Sequence, residues 1–269
     1  MALIQMQFLS TALKRTVPVT VIMPVDNTVF SLEKPQFPTL YLLHGLLGNH
    51  TDWVSNTRIQ RWAEERGLAV VMPSGDNSFY IEQILPNQEY GKFIGQELVE
   101  ITRRAFPLSQ EREKTFLAGL SMGGFGAIRN GLKYADTFGY VAGLSSAVHI
   151  FEMAPDAPGR TLFHEDLVFG NLEEAAKTDK NPRIALLQAI SQGLPLPKIY
   201  MSCGLQDNLL DSNRSLRDYF LEKNLSLTYQ ETEGKHNWDF WFDQIQSVLN
   251  WLPLSAPQLG LGSGNVSVE

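Results

Sequence analysis

The sequence predicts an α/β fold: a mainly parallel sheet of about eight strands, helices on both faces and a small cap insertion. Three observations carry this. Short apolar runs alternate with helical periods through almost the whole chain, the pattern of a layered α/β domain. A Gly-x-Ser-x-Gly pentapeptide stands between one such run and one such helix, where a sharp strand-to-helix turn is needed. No Ser/Pro/Gly-rich linker interrupts the series, so residues 1–269 read as a single domain.

The elements follow in order. Run 4–9 opens the series, and in run 17–23 Val17, Val19, Val21 and Met23 alternate as in a strand, so the two should pair as an antiparallel hairpin. Runs 40–43 and 68–72 are continuously apolar, the mark of strands covered on both faces. Ile94, Leu98, Ile101 and Ala105 step by four, three and four, which puts them on one buried helical stripe. Run 115–118 leads through the pentapeptide into a helix over 125–132. Strands at 140–144, 199–202 and 227–230 complete the eight, and Trp241, Ile245, Val248 and Leu252 form a second helical stripe at the end.

Between Ser145 and Pro197 no core strand is evident, and Pro155, Pro158, Pro182, Pro195 and Pro197 break the segment, so 145–197 reads as a cap or lid. Residues 255–269, with Gly260, Gly262 and Gly264, lack periodicity and read as a flexible tail.

Composition bounds the partners. With 269 residues, 43% of them hydrophobic, the chain can bury a large core. Its net charge of −7 disfavours nucleic acid and anionic membranes, and no run reaches about 18 apolar residues. A single cysteine, Cys203, excludes an intramolecular disulfide and a Cys-based zinc cluster. The opening Met1 to Gln7 lacks a secretory pattern. The expectation is a cytoplasmic protein acting on a small molecule, with homo-oligomerisation left open and no cofactor or metal.

The pentapeptide Gly119-Leu120-Ser121-Met122-Gly123 carries the chemistry. Glycines at both ends permit a turn so tight that the serine hydroxyl is pushed outward at a helix N-terminus. A serine needs a base, and of five histidines only His236 follows a late strand in a glycine-containing loop. The acid that orients it should follow the preceding strand: Asp207 is the leading candidate and Asp211 the rival, the latter placed to cap the next helix, which carries Leu216 and Phe220 on one face. Oxyanion donors are expected from the N–H groups of Met122 and, in the loop Leu43-His44-Gly45-Leu46, of Leu46. His44 should shape that loop, and Ser145 and Ser146 should be loop hydrogen-bonders. Trp53 and Trp238 are expected as substrate contacts, and together with Phe79 and Tyr80 they should stand near the mouth and limit the pocket.

These stretches, together with Gly48-Asn49-His50, Cys203-Gly204 and Trp238, resemble the esterase D and S-formylglutathione hydrolase-like α/β-hydrolases, and within them the bacterial tributyrin esterases. The resemblance runs from about residue 16 to 252. It implies an α/β-hydrolase fold, a Ser121–Asp207–His236 triad, and hydrolysis of short-chain acyl esters of about two to four carbons through an acyl-enzyme. The segment Met72-Pro73-Ser74-Gly75-Asp76-Asn77-Ser78 departs from the loop of formylglutathione hydrolases. A feruloyl or acetyl-polysaccharide esterase, a thioesterase, an acyltransferase and a non-catalytic binding member of the fold are the alternatives.

Overall fold

A computed structural model describes residues 1–25, 36–152 and 165–254. The expected tail at 255–269 lies outside the described residues, as does the middle of the expected cap.

Eight strands form one sheet: β1 (Ala2–Ser10), β2 (Arg15–Met23), β3 (Thr39–Leu43), β4 (Ala69–Pro73), β5 (Thr115–Leu120), β6 (Tyr140–Leu144), β7 (Lys198–Gly204) and β8 (Leu227–Thr232), in the order β1-β2-β4-β3-β5-β6-β7-β8. The first two pair antiparallel, and β2 also runs antiparallel to β4; every pair from β4 across to β8 is parallel. The described helices are α1 (Asp52–Asn56), α2 (Ile59–Glu64), α3 (Tyr90–Lys92), α4 (Leu98–Ala105), α5 (Met122–Lys133), α6 (Glu165–Phe169), α7 (Leu172–Ala175), α8 (Pro182–Ser191), α9 (Leu210–Glu222) and α10 (Trp238–Trp251).

Period-two alternation divides the core between the two faces of the sheet. Tyr41, Leu43 and Leu117 point to the side covered by α4, α5, α8 and α9, where Phe125, Ile128, Leu186 and Phe220 meet them. Leu40, Leu42, Phe116 and Ala118 point to the other side, covered by α1, α2 and α10 through Trp53, Trp62, Ile245 and Val248. Both faces are therefore dry, which is why β3, β4 and β5 read as unbroken apolar runs.

Two expectations need correction. The stripe Ile94, Leu98, Ile101, Ala105 holds only in its first half: Ile101 is half-buried and Ala105 exposed, while Val99 and Thr102 are buried. A π-helical turn over Phe93–Glu97 joins α3 to α4, and its extra residue rotates the buried face by one position. The segment 145–197 is also not wholly a cap. Helix α8 buries Ala185, Leu186 and Ala189 and packs on α5, so it is part of the crossover that parallel strands β6 and β7 require.

Strands β4 and β5 lie on opposite sides of β3, so the chain changes direction there and leaves a crevice beyond the carboxyl ends of β3 and β5. The register pairs Leu43 with Gly119, which brings the loop after β3 beside the turn after β5.

Candidate active site

Ser121 sits at the turn between β5 and α5 with φ 52° and ψ −117°, a conformation that L-residues seldom adopt. The surrounding hydrogen bonds hold it: its N–H donates to Leu144 O at 2.8 Å, and its carbonyl accepts from Phe125 and Ala147. Both glycines of the motif are sterically required. A Cβ on Gly119 would stand 2.4 Å from the Gly123 carbonyl carbon, and one on Gly123 would stand 2.5 Å from His44 O. Backbone crosses backbone at these points, so no side chain could move aside.

Loops after β7 and β8 deliver the other two groups together. Leu205 N–H donates to Thr232 O, Gln206 N–H to Gly234 O, and Gly234 N–H returns a bond to Gln206 Oε1. Gly204 permits this approach, since a Cβ there would lie 2.3 Å from Gly234 O. Within this zipper His236 Nδ1 donates to Asp207 Oδ2 at 2.9 Å, and Ser121 Oγ donates to His236 Nε2 at 3.0 Å. Asp207 Oδ1 accepts the Leu209 N–H at 2.8 Å. Burial works against a charged Asp207, but the bonds from His236 and Leu209, the His236 charge and the Ser145 hydroxyl outweigh it and hold its pKa below the ordinary carboxylate value. An ionised carboxylate accepts only, so His236 carries its proton on Nδ1 and leaves Nε2 free to accept.

Asp211 is elsewhere: its side chain is 98% exposed and its ionic partner is Arg214 at 3.7 Å. It does not cap α9 but lies in its first turn, after Leu210. Cys203 is buried, which pushes its thiol up to about 12 and leaves it a poor nucleophile.

Among the described residues, the N–H groups of Leu46 and Met122 meet no protein acceptor. They stand at the ends of neighbouring strands, Leu46 in the loop after β3 and Met122 at the first position of α5, where helix geometry leaves the N–H unused. His44 shapes the first of these loops from below. Its Nδ1–H donates to Gly45 O at 2.6 Å, its Nε2 accepts the Gly75 N–H at 2.8 Å, and Tyr80 donates to the His44 carbonyl.

Ser121 and His236 open into a pocket of about 280 Å³ whose other walls include Leu46, Leu120, Trp238, Trp241 and Asp52. Trp238 is at the surface of this pocket. Trp53 is not: it is 1% exposed, donates Nε1–H to Leu43 O, and backs Trp238 edge-on at 5.2 Å. Phe79 and Tyr80 are likewise core residues rather than mouth residues. Phe79 packs edge-on against Phe125 and Phe169, and the Tyr80 ring lies beside Gly75 and Gly126 with its hydroxyl bonded to the His44 carbonyl.

Two neighbours of the site had no sequence signal. Trp241 stacks edge-on against His236 at 4.9 Å and donates Nε1–H to Ser145 Oγ, and the Ser145 hydroxyl in turn helps to lower the Asp207 pKa. Asp52 enters the pocket wall from the first turn of α1. Among the described residues no group of three or more His, Cys, Asp or Glu could hold a metal ion, and no helix is long and apolar enough to cross a membrane.

The chain is similar to an acetyl esterase of Caldicellulosiruptor saccharolyticus, 38% identical over 262 residues that cover 94% of this chain and 98% of that protein. Among solved structures it is similar to a fluorophosphonate-binding serine hydrolase of Staphylococcus aureus with substrate bound, at a TM-score of 0.84, and to an S-formylglutathione hydrolase of the same organism, at 0.82. Each is 30% identical, covering 93% of this chain and 98% of its own. These neighbours share the α/β-hydrolase fold, so the crevice at the ends of β3 and β5 is set in an established enzyme architecture. The putative esterase family matches residues 10–252, nearly the entire sheet and its helices, and the chain therefore belongs to that family of ester-hydrolysing enzymes.

Proposed function

We propose that the protein is a serine carboxylesterase that hydrolyses short-chain acyl esters, acetyl esters foremost, through an acyl-enzyme intermediate. One observation supports this above all: a serine, an imidazole and a buried carboxylate are linked at 3.0 Å and 2.9 Å, and the serine faces a small pocket.

In this reading Ser121 Oγ attacks the ester carbonyl while His236 Nε2 accepts the hydroxyl proton. Asp207 orients the ring and stabilises the imidazolium. The carbonyl oxygen, now negative, is held by the Leu46 and Met122 N–H groups, whose lack of other acceptors leaves them available. The intermediate collapses, the C–O bond to the alcohol breaks, and His236 returns its proton to the departing oxygen. Water then gives its proton to His236, attacks the Ser121 ester and releases the carboxylic acid. The similarity to an acetyl esterase supports a two-carbon acyl group, and the pocket volume suits acyl groups up to about four carbons.

Ser121→Ala tests the assignment. It should lower p-nitrophenyl acetate turnover by about 10⁶-fold and abolish covalent labelling by a fluorophosphonate probe, with the melting temperature unchanged. Labelling that persists in the variant would place the nucleophile elsewhere.

A further inference from the structure

Asp52 is an anomaly among the acidic side chains around the site. It lies in the pocket wall with Ser121 and His236, half-buried, and among the described residues its carboxylate has neither a hydrogen bond nor an ion pair. Other partly buried carboxylates are matched: Glu82 by Arg129 and Lys133, Glu231 by Arg214 and Arg217, Asp207 by His236. The Asp52 carboxylate lies over the loop that carries Leu46, and Gly48 leaves room for it, since a Cβ there would be 2.2 Å from Asp52 Oδ2. The two imidazoles within its electrostatic reach are not counter-cations. Burial depresses both His44 and His50 below the usual histidine value, which leaves them neutral near pH 7.

The same pocket contains two tryptophans, Trp238 and Trp241, set edge to face at 5.4 Å and 88°. Aromatic faces carry negative quadrupole charge and attract cations, most strongly when water is excluded. A half-buried carboxylate without a partner is unfavourable until a ligand supplies the opposite charge. The net charge of −7 favours the approach of cations from solution and disfavours that of anions.

We infer that Asp52 makes this pocket charge-selective, favouring esters that carry an ammonium or quaternary ammonium group close to the scissile bond and rejecting anionic ones. The inference rests on the esterase reading above and adds a specificity-determining residue to it. A substrate cation would lie between the carboxylate and the indole faces while Ser121 attacks the neighbouring carbonyl. An anionic group in the same position would meet Asp52 with little water between them.

Three acetate esters of similar size and different charge provide the test: acetylcholine, its neutral carbon isostere 3,3-dimethylbutyl acetate, and 2-sulfoethyl acetate. In the wild type kcat/KM should fall by about tenfold at each step from cation to neutral to anion, and a tenfold step is about 1.4 kcal/mol. In Asp52→Asn the cation-to-neutral ratio should shrink to within about twofold of one. Because the readout is a ratio within each variant, a general loss of activity or stability cancels. Equal rates on all three esters in the wild type, or a cation preference that survives Asp52→Asn, would overturn the inference. So would a preference for glycerol monoacetate, whose free hydroxyls can donate, over both cation and isostere that disappears in Asp52→Asn, since that would make Asp52 a hydroxyl acceptor. Turnover of p-nitrophenyl acetate and fluorophosphonate labelling of Ser121 are measured alongside. Their absence would refute the esterase reading, whereas their presence with flat ratios would refute the Asp52 inference alone.

Discussion

Replacing Glu82 by glutamine should cost about 2–3 kcal/mol of stability at neutral pH and almost nothing near pH 2. Glu82 Oε2 accepts from Arg129 Nη2 at 2.6 Å, and its other oxygen faces Lys133 Nζ at 3.1 Å. The Arg129 side chain is fully buried in α5, whereas that of Glu82 is 30% exposed. Burial alone would raise the Glu82 pKa, but Arg129 and Lys133 outweigh it and bring it from 4.5 down to about 2. At about 1.4 kcal/mol per pH unit that difference is worth about 3 kcal/mol, and partial solvent screening places the expected loss at the lower end. The sign follows from the direction of the shift. A carboxylate depressed in the folded state contributes fully above its unfolded value, and its contribution disappears as pH falls through the folded one. Glutamine preserves shape, and Asp179 at 3.2 Å still compensates Arg129, so the variant should fold. Urea denaturation of both proteins between pH 2 and 7 measures the difference. It should be full at pH 6–7 and close progressively below about 4.5; a gap that stays constant with pH, or one under about 0.5 kcal/mol at pH 7, would refute the reasoning.

Two further predictions concern the reaction. Asp207→Asn should lower kcat/KM for p-nitrophenyl acetate by about 10⁴, because an amide supports the wrong imidazole tautomer, while Asp211→Asn should change it little; the reverse order would transfer the role to Asp211. Across p-nitrophenyl esters, each added methylene that fits should contribute about 0.8 kcal/mol up to about four carbons, after which the wall reverses the gain. A steady rise in kcat/KM to about eight carbons would show an open pocket.

Much of the frame was legible because it rests on local rules. Strands β3, β4 and β5 are buried at every position and, apart from Thr39 and Thr115 at their starts, apolar, since both faces are covered, and Gly119 and Gly123 declare a backbone crossing that no other residue survives. What escaped the sequence depends on events with no local signature. The π turn at Phe93–Glu97 adds a residue to a helix whose composition is ordinary, so Ile101 and Ala105 rotate outward and Val99 and Thr102 inward. Trp53 is aromatic and near the oxyanion loop in sequence, yet its Nε1–H has an acceptor at Leu43 O, and that bond draws the ring inward. Ser145 acquires its role through Asp207 and Trp241, respectively 62 and 96 residues away along the chain. Helix α8 was hidden by the prolines around it, although Pro182 at its first turn is a position that helices accept.

Two histidines near the nucleophile show how the same side chain is committed to different tasks. His44 presents both nitrogens to the backbone: Nδ1–H to Gly45 O, and Nε2 as acceptor for Gly75 N–H. Accepting a further proton would set two N–H groups against each other at 2.8 Å, and burial already depresses its pKa, so His44 stays neutral and fixes the loop. His236 differs in what each nitrogen faces. Its Nδ1–H is anchored by a carboxylate, which a developing imidazolium needs and a backbone carbonyl matches only weakly, and its Nε2 has the Ser121 hydroxyl as its single partner. Proton transfer requires a ring that can change charge without losing a bond. Of these two imidazoles only His236 meets that condition, which is why the proposed base is the one hydrogen-bonded to Asp207 rather than the one beside the oxyanion loop.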